Sequence, residues 1–309
     1  MDNLKLICLL IFSISPIFIY SIFRFKTSLE LLKDIRIERI LHYFVVSAFG
    51  FVLFHFENKL KIQLKIPEIL EAIIFFFTLF YAAFFAIATN NEADIEIDKI
   101  SNSNRPLVKN TVNIKEYRIV AYLSLVLSLG ISFTLGIHYF LCVFGLSLIY
   151  FLYSCKPFRF KKHVLFAKFL IGVNTFLCAV TGFESAGGSY QDFPIFWSFF
   201  ILVPVALLAN FIDLKDVEGD GKNGIQTIPV LFGIKATLQF LSFIIFICYL
   251  FVFFYFEIIW FSVILIPLAT IHLYLLWRKP YKEKPLFYLH NFLFLGLIVL
   301  FLLAQTIGK

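Results

Sequence analysis

Ten long apolar runs constrain this chain more than any other feature of its sequence. About 20 consecutive apolar residues cross a bilayer as a helix. The runs lie near residues 5–23, 38–56, 69–90, 118–136, 138–155, 164–183, 193–213, 236–256, 258–277 and 286–306. Because they are continuous rather than alternating, they predict helices and not the strands of a barrel. We therefore expect an all-α integral membrane protein.

The composition favours the same class. Of 309 residues, 61% are hydrophobic and 15% are charged, whereas a soluble domain has roughly 25% charged residues. The net charge is +7, and the positively charged residues are scattered between the apolar runs rather than gathered in one dense tract. We therefore expect membrane lipid, and no nucleic acid, as a partner. The five cysteines and six histidines show no zinc-ligand spacing.

The distribution of Lys and Arg predicts the orientation of the chain. Nearly all of them fall in the connections at 24–37, 91–117, 156–163, 214–235 and 278–285. The connections near 137, 184–192 and 257 carry none. The positive-inside rule then places these basic connections in the cytoplasm and the N-terminus outside. Lys59, Lys61 and Lys65 are the exception, because they lie on the predicted outer side. We expect a multi-pass protein of the cell membrane.

An acidic cluster ends the third run, in NNEADIEIDKISNSNRPLV at 90–108. Several carboxylates together at a membrane helix end are unusual. On a continuous helix, Asn90, Asp94 and Asp98 share one face, while Glu92 and Glu96 point elsewhere. The pattern predicts one stripe of oxygen ligands.

A second acidic cluster ends the seventh run, in DLKDVEGDGKNGIQTIPVLFG at 213–233. Asp213, Asp216 and Asp220 share one face if the helix persists to the glycines at 219, 221 and 224. Two such stripes suit Mg²⁺, which takes oxygen ligands and completes its shell with water and substrate phosphate. The alternative is that both stripes are merely solvated helix ends. We favour the metal site, because both stripes lie on the same predicted side of the membrane and both are followed by basic residues.

Basic residues lie on the same predicted side, in YSCKPFRFKK at 153–162. Carboxylates, divalent ions and Lys/Arg side chains together describe a diphosphate site. Taken alone, this segment could equally be a topology anchor. The candidates are Tyr153, Lys156, Arg159, Lys161 and Lys162, joined by Arg105, Lys215 and Lys222.

These three segments resemble the signatures of the UbiA superfamily of intramembrane prenyltransferases. The run N-N-x-x-D-x-x-x-D before N-R-P is similar to the family's N-D-x-x-D-x-x-x-D, with Asn91 where the family often has Asp. The run D-x-x-D-V-E-G-D and the segment Y-S-x-x-P-x-R-x-K resemble the others. The resemblance covers about residues 38–306. It implies a nine-helix bundle at 38–309 plus one extra N-terminal helix and cytoplasmic connector at 1–37.

The resemblance also implies a Mg²⁺-dependent transfer of a prenyl group from a polyprenyl diphosphate to a hydrophobic acceptor. The active site would face the cytoplasm. Its implied catalytic residues are Asp94, Asp98, Asp216 and Asp220. The implied metal ligands are Asn90, Asn91, Asp94, Asp98, Asp213, Asp216 and Asp220. The implied diphosphate-binding residues are Arg105, Tyr153, Lys156, Arg159, Lys161 and Lys222.

The acceptor is less constrained. The second signature is similar to members that act on homogentisate, chlorophyllide or archaeal-type glycerol lipids. We favour an aromatic precursor of a quinone or chlorophyll, hence quinone biosynthesis. The alternatives are a glycerol-phosphate lipid prenyltransferase and a UbiA-type membrane terpene cyclase. Outside the enzymes, a secondary transporter would need its acids near the bilayer midplane, whereas these lie at helix ends.

Overall fold

A computed structural model describes residues 2–222, 224–256 and 262–307, and this part of the chain is helical without a strand. Short 3₁₀ turns occur at Phe160–Lys162, Tyr190–Asp192 and Ala209–Lys215. The helices are α1 (Asn3–Phe23), α2 (Phe25–Asp34), α3 (Ile37–Glu57), α4 (Ile66–Ala93), α5 (Ile95–Ser101), α6 (Ile114–Leu135), α7 (Ile137–Ser154), α8 (Val164–Ser185), α9 (Ile195–Leu208), α10 (Val217–Lys222), α11 (Ile228–Phe232), α12 (Ile234–Phe256), α13 (Ser262–Trp277) and α14 (Lys284–Ile307).

Within the described ranges, nine helices are long and apolar enough to cross a membrane. They are α1, α3, α4, α6, α7, α8, α9 with its 3₁₀ continuation, α12 and α14. The helix α13 is apolar but shorter, and part of its predicted run, residues 257–261, lies outside the described residues. The predicted all-α membrane fold is confirmed.

Several helix boundaries follow from local chemistry. Asp2 and Asn113 cap α1 and α6, because their side chains accept hydrogen bonds from the backbone amides two or three residues later. Pro67 lies in the first turn of α4, where no amide hydrogen is needed. Gly136 separates α6 from α7 with φ 155°, a conformation that favours glycine.

The helices α3 and α8 approach each other closely at two glycines. A Cβ on Gly182 would lie 1.7 Å from the carbonyl oxygen of Ser47, and one on Gly50 would lie 1.8 Å from that of Ala179. Small residues let membrane helices pack backbone to backbone in this way. This packing fixes α3 and α8, both of which contribute side chains to the site described below.

An aromatic cluster closes the core of the bundle away from the site. Phe49, Trp197 and Phe301 are fully buried, and their ring centroids lie 5.2–5.7 Å apart. Such tilted and edge-to-face contacts add to the dispersion energy of the buried rings. Phe49 is ten residues along α3 from Arg39, which is about 15 Å of helix.

The N-terminal segment differs from the expected connector. Residues 25–34 form the helix α2, which exposes Phe25, Leu29 and Leu32 while burying Leu31 and Asp34. A short amphipathic helix of this kind suits the membrane interface. The preceding helix α1 is mostly exposed at the edge of the bundle.

Candidate active site

The two acidic motifs and three of the basic candidates, Arg105, Lys161 and Lys215, meet in one polar pocket of about 140 Å³. It lies where the ends of α3, α4, α7, α8 and the 3₁₀ turn after α9 come together. Five aspartates and six basic residues line it. These are Asp94, Asp98, Asp213, Asp216 and Asp220, with Arg36, Arg39, Arg105, Lys161, Lys168 and Lys215.

The first motif does not form one continuous helix. The helix α4 ends at Ala93, Asp94 has non-helical φ of −113°, and α5 begins at Ile95. The expected helical stripe is therefore interrupted. Asn90, Asp94 and Asp98 nevertheless all line the polar pocket, because the interruption is short and α5 stays near the end of α4.

Each pocket aspartate of the first motif is held by cations. The Asp94 carboxylate accepts hydrogen bonds from Arg159, at 3.0 Å, and from Lys161. The Asp98 carboxylate accepts one from Arg105. Arg159 adopts a left-handed backbone with φ 44°, which costs about 1 kcal/mol for a non-glycine residue. Its ion pair with Asp94 helps to offset that cost.

The remaining acids of this motif point away, as the helical geometry predicts. Glu92 forms an ion pair with Arg118, and Glu96 pairs with Lys99 at 2.7 Å on an exposed face. Neither glutamate lines the polar pocket. In this motif the aspartates thus face the pocket and the glutamates face away from it.

The second motif is also broken into short pieces. A 3₁₀ turn at Ala209–Lys215 is followed by Asp216 and then by α10, so the helix expected to persist to the glycines at 219, 221 and 224 is interrupted. Asp213, Asp216 and Asp220 still line the pocket. Lys168 donates a hydrogen bond to Asp213 at 2.7 Å. Within the described residues, Asp213 Oδ2 and Asp216 Oδ1 are buried without a hydrogen-bond donor.

Burial shapes the protonation of the groups outside the membrane-spanning helices. It raises the pKa of Asp98 to about 6, against the opposing charge of Arg105. It raises the pKa of Asp220 to about 7, with help from the like charges of Asp213 and Asp216. Burial also raises the pKa of Asp216 and lowers that of Lys161. A cation that entered this pocket would therefore displace protons as it bound.

The donor set fits a divalent ion of the Mg²⁺ type. Carboxylate and amide oxygens from both motifs face one pocket, and two buried carboxylate oxygens lack a donor within the described residues. In the described part of the chain, no three such side chains form a ready-made cage. Mg²⁺ needs no such cage, because it is usually held by one or two carboxylates plus water and substrate phosphates.

The structure separates the basic candidates into two groups. Tyr153, Lys161 and Arg105 line the pocket, and Arg159 reaches it through Asp94. Lys156 is exposed, and Lys222 pairs with Glu218 at 2.6 Å on the surface.

Asn91 also lies apart from the pocket lining. Its side chain donates to Tyr117 at 3.0 Å and accepts from Arg105. It is 2% exposed.

Sequence reasoning missed three basic residues that line the pocket, namely Arg36, Arg39 and Lys168. Lys168 was detectable, because an isolated lysine inside the apolar run 164–183 is costly unless it has a partner. Its partner Asp213 comes from a helix 45 residues away. Arg36 lies just before α3, in the connection 24–37 that was used only to predict the orientation. Arg39 lies at the start of α3, inside the second apolar run, and was not singled out.

An apolar chamber of about 530 Å³ adjoins the polar pocket. Both have Arg39, Tyr43, Tyr150, Tyr153 and Lys168 in their walls. Side chains of α9, α12, α13 and α14 form most of the rest of the chamber. Its volume is in the range of sites that bury a ligand of several hundred daltons. The combination accommodates a molecule with an anionic head and an apolar body.

Two aspartate motifs beside an apolar chamber, in an all-α membrane bundle, suit an intramembrane enzyme whose substrate has an anionic head and an apolar body. Comparison with known proteins agrees with that class. A sequence model described as the UbiA prenyltransferase family matches residues 63–303. The chain belongs to this family and is a prenyltransferase.

Known relatives include proteins with different acceptors in their names. A digeranylgeranylglyceryl phosphate synthase of Methanocaldococcus jannaschii is 26% identical over 224 residues, which are 72% of each chain. Synthases of the same name from three other archaea match over 52%, 58% and 60% of their length. A 2-acyl-4-prenylphloroglucinol 6-prenyltransferase of Humulus lupulus is 31% identical over 48% of this chain and 38% of its own.

A solved structure confirms the fold. A UbiA homologue from Archaeoglobus fulgidus bound to GPP and Mg²⁺ superimposes with a TM-score of 0.67. The match covers 88% of this chain and 99% of that one, at 20% sequence identity. At this identity the likeness establishes the bundle architecture alone.

Proposed function

We propose that this protein transfers a prenyl group from a polyprenyl diphosphate to a hydroxyl group of a glycerol-phosphate lipid. The observation that carries the proposal is the continuity of two spaces. A polar pocket lined by both acidic motifs shares Tyr43, Tyr150 and Lys168 with an apolar chamber. A prenyl diphosphate has a charged diphosphate that matches the polar pocket and an apolar chain that matches the chamber. The solved homologue from Archaeoglobus fulgidus binds GPP with Mg²⁺.

The basic side chains would hold the diphosphate. Lys161 and Arg105 line the pocket, and Arg159 is next to Asp94. Charge-assisted bonds from such groups stabilise the negative charge that develops when the allylic C–O bond breaks. Mg²⁺ held between Asp94, Asp98, Asp213, Asp216 and Asp220 would neutralise further charge on the leaving diphosphate.

The chamber would protect the allylic carbon. Its walls are apolar and aromatic, and they exclude water from a carbon that carries positive charge in the transition state. Tyr43 and Tyr150 meet at the junction of pocket and chamber, where their hydroxyl groups are hydrogen-bonded to each other. Aromatic faces at this junction stabilise a nearby cation. The acceptor oxygen then forms the new C–O bond and loses its proton.

The relatives favour a glycerol-phosphate acceptor over the aromatic acceptor expected from the second signature. The archaeal synthases that match most of this chain have glyceryl phosphate in their names. The pocket offers a further cation for an acceptor phosphate. Arg36 lines it and forms no ion pair within the described residues. Burial, with Arg39 and Arg105, lowers the pKa of Arg36 to about 10, so it remains charged at neutral pH. The Humulus lupulus relative keeps an aromatic acceptor as the second candidate.

Product analysis tests this proposal. Purified protein in lipid nanodiscs would receive geranylgeranyl diphosphate and Mg²⁺, with geranylgeranylglyceryl phosphate, homogentisate or no acceptor. We expect an ether-linked product with the first acceptor and none with the others. A product from homogentisate alone would establish the aromatic acceptor. A hydrocarbon released without an acceptor would identify a cyclase, and an intact donor in every mixture would contradict the diphosphate site.

We further propose that the polar pocket opens to the cytoplasm, as the distribution of Lys and Arg predicts. Lys222 is exposed beside the pocket, and Tyr190 is exposed in the connection at the other end of α8. In intact cells, a membrane-impermeant thiol reagent should label Tyr190→Cys and leave Lys222→Cys unlabelled until the cells are lysed. Labelling of Lys222→Cys in intact cells would reverse the orientation.

A further inference from the structure

Asn91, where this sequence departs from the family signature, belongs to a buried chain of hydrogen bonds. Arg105 donates to Asn91 Oδ1, and Asn91 Nδ2 donates to the Tyr117 hydroxyl at 3.0 Å. That hydroxyl donates to Asp34 Oδ2 at 2.8 Å. Asp34, Asn91 and Tyr117 are at most 6% exposed. The chain therefore runs from the N-terminal helix α2 to a guanidinium that lines the polar pocket.

The polarity of this chain is set by its two ends, because Arg105 only donates and an ionised Asp34 only accepts. An ionised carboxylate accepts hydrogen bonds only, so it takes the single proton of the Tyr117 hydroxyl. The Tyr117 oxygen is then an acceptor, and it takes a proton from the amide group of Asn91. This orients Asn91 with its carbonyl oxygen toward Arg105. The guanidinium of Arg105 has no acceptor and requires the same orientation of Asn91, so the two ends of the chain agree.

Asp34 and Asn91 are a matched pair for the same reason. If residue 91 were an aspartate, two carboxylates would compete for the one proton of Tyr117, and one would lose its donor. A buried acceptor without a donor is costly. The amide of Asn91 has one donor end and one acceptor end, so it satisfies both neighbours. The departure at residue 91 thus accompanies a carboxylate that reaches it from α2.

We propose that Asp34 is a positioning residue for Arg105, acting from α2 through Tyr117 and Asn91. Asp34 precedes residues 63–303, the part matched by the family model. The N-terminal segment would therefore shape the diphosphate pocket as well as anchor the chain. The proposal rests on the proposed function only in that the pocket binds diphosphate. Arg105 also contacts Asp98, so the chain fixes a group at the centre of the first motif.

A pair of tyrosine variants tests this role. Tyr117→Phe removes the hydroxyl and keeps the ring. Tyr81→Phe is the matched control, because Tyr81 is also buried and also donates to the N-terminal segment, at Ser13 O, 2.8 Å away. Loss of one buried hydrogen bond predicts about a fivefold rise in the donor KM of Tyr117→Phe. We expect Tyr81→Phe to keep the wild-type donor KM, and the acceptor KM to stay constant in both.

Exchange of the charged partner gives a sharper test. Asn91→Asp and Asp34→Asn should each raise the donor KM by about fivefold or more. The double variant Asp34→Asn/Asn91→Asp should return to within about twofold of wild type, because the chain can then run with reversed polarity. The new amide at residue 34 would donate to the Tyr117 oxygen, and the Tyr117 hydroxyl would donate to the new carboxylate at residue 91. Additive losses in the double variant would overturn the proposal.

Calorimetry on the purified variants can measure binding of inorganic diphosphate with Mg²⁺. This binding tests the positioning role of Asp34 independently of which reaction the protein catalyses. The same pattern of weakened and restored binding would support the positioning role even if no acceptor were turned over. Equal effects in Tyr117→Phe and Tyr81→Phe would show a general role of the N-terminal segment and overturn it. If Tyr117→Phe failed to fold, Asp34→Asn and its rescue would still decide.

Discussion

The two acidic motifs differ in how their carboxylates are balanced. In the first motif, Asp94 is held by Arg159 and Lys161, both of which reach it from the connection between α7 and α8. In the second motif, the nearest cation to Asp216 is Lys215, at 4.0 Å, and Lys215 itself donates to Glu283. Asp220 forms no ion pair within the described residues. The protein neutralises the first motif, whereas in the second, among the described residues, Asp213 has a close cation in Lys168 and Asp216 and Asp220 have none.

This difference assigns the motifs different tasks in ligand binding. A cation can approach Asp216 without displacing a protein group, since Asp216 Oδ1 has no donor in the described part of the chain. At Asp94, by contrast, Arg159 and Lys161 already bind Oδ1, so a cation that coordinated this oxygen would replace them. Those two side chains would then be free to bind the diphosphate. We infer that the second motif receives the metal ion, while the first exchanges its basic partners as the donor arrives.

The largest expected effect is on activity after loss of a carboxylate from the second motif. Asp216→Asn or Asp220→Asn should lower kcat/KM by about 10³-fold, as expected when an electrostatic contact to the developing charge is lost. Initial rates at several Mg²⁺ concentrations would measure this. Removal of divalent ions with EDTA should abolish wild-type activity. Full activity in EDTA would contradict the metal assignment, and near-normal rates in Asp216→Asn would contradict the division of tasks.

For the free energy of unfolding we expect the opposite order, with the larger loss from the substitution in the first motif. Asp94→Asn leaves two mostly buried cations unpaired, so it should lower the free energy of unfolding by about 3 kcal/mol. Asp216→Asn removes a half-buried carboxylate that lacks a close partner, so its effect should be neutral or stabilising. Thermal unfolding of the metal-free proteins in one detergent would compare them. Equal destabilisation by both substitutions would show that the motifs are balanced alike.

A smaller effect is expected for the cation that the first motif holds. Arg159→Lys keeps the charge but replaces a planar, bidentate group by a point charge. We expect about a tenfold loss of kcat/KM for the donor, equivalent to ~1.4 kcal/mol. The acceptor KM should change little. Lys156→Arg is the control, because Lys156 lies in the same segment but is exposed. Unchanged donor kinetics in Arg159→Lys would favour the alternative that residues 153–162 only anchor the membrane topology.

Much of this architecture could be predicted from the sequence, because bilayer thickness dictates helix length and charge dictates helix ends. The convergence of Asn90, Asp94 and Asp98 followed from helical spacing. The interruption at Asp94 did not, because neither Gly nor Pro marks it. The breaks at Asp94 and Asp216 depend on packing around the pocket, which local sequence does not encode.

Long-range partners were beyond sequence reasoning for a related reason. Lys168 meets Asp213 and Asp34 meets Tyr117 only because distant helices pack together. A single sequence shows that such residues need partners, since buried charge is costly, but not which partners they have. The role of Asn91 was obscured in the same way, because Tyr117 of α6 connects it to Asp34 of α2.

The smallest expected effects come from the outward-facing acid of each motif. Glu96 pairs with Lys99, and Glu218 pairs with Lys222, both on exposed surfaces. Exposed ion pairs of this kind contribute little to stability. Glu96→Gln and Glu218→Gln should therefore keep donor kinetics within about twofold of wild type. Steady-state rates of the two variants, beside Asp94→Asn and Asp220→Asn, would measure how sharply each motif divides into two faces. A large loss in Glu96→Gln would mean that α5 turns toward the pocket during turnover. The same loss in Glu218→Gln would place that rearrangement in α10.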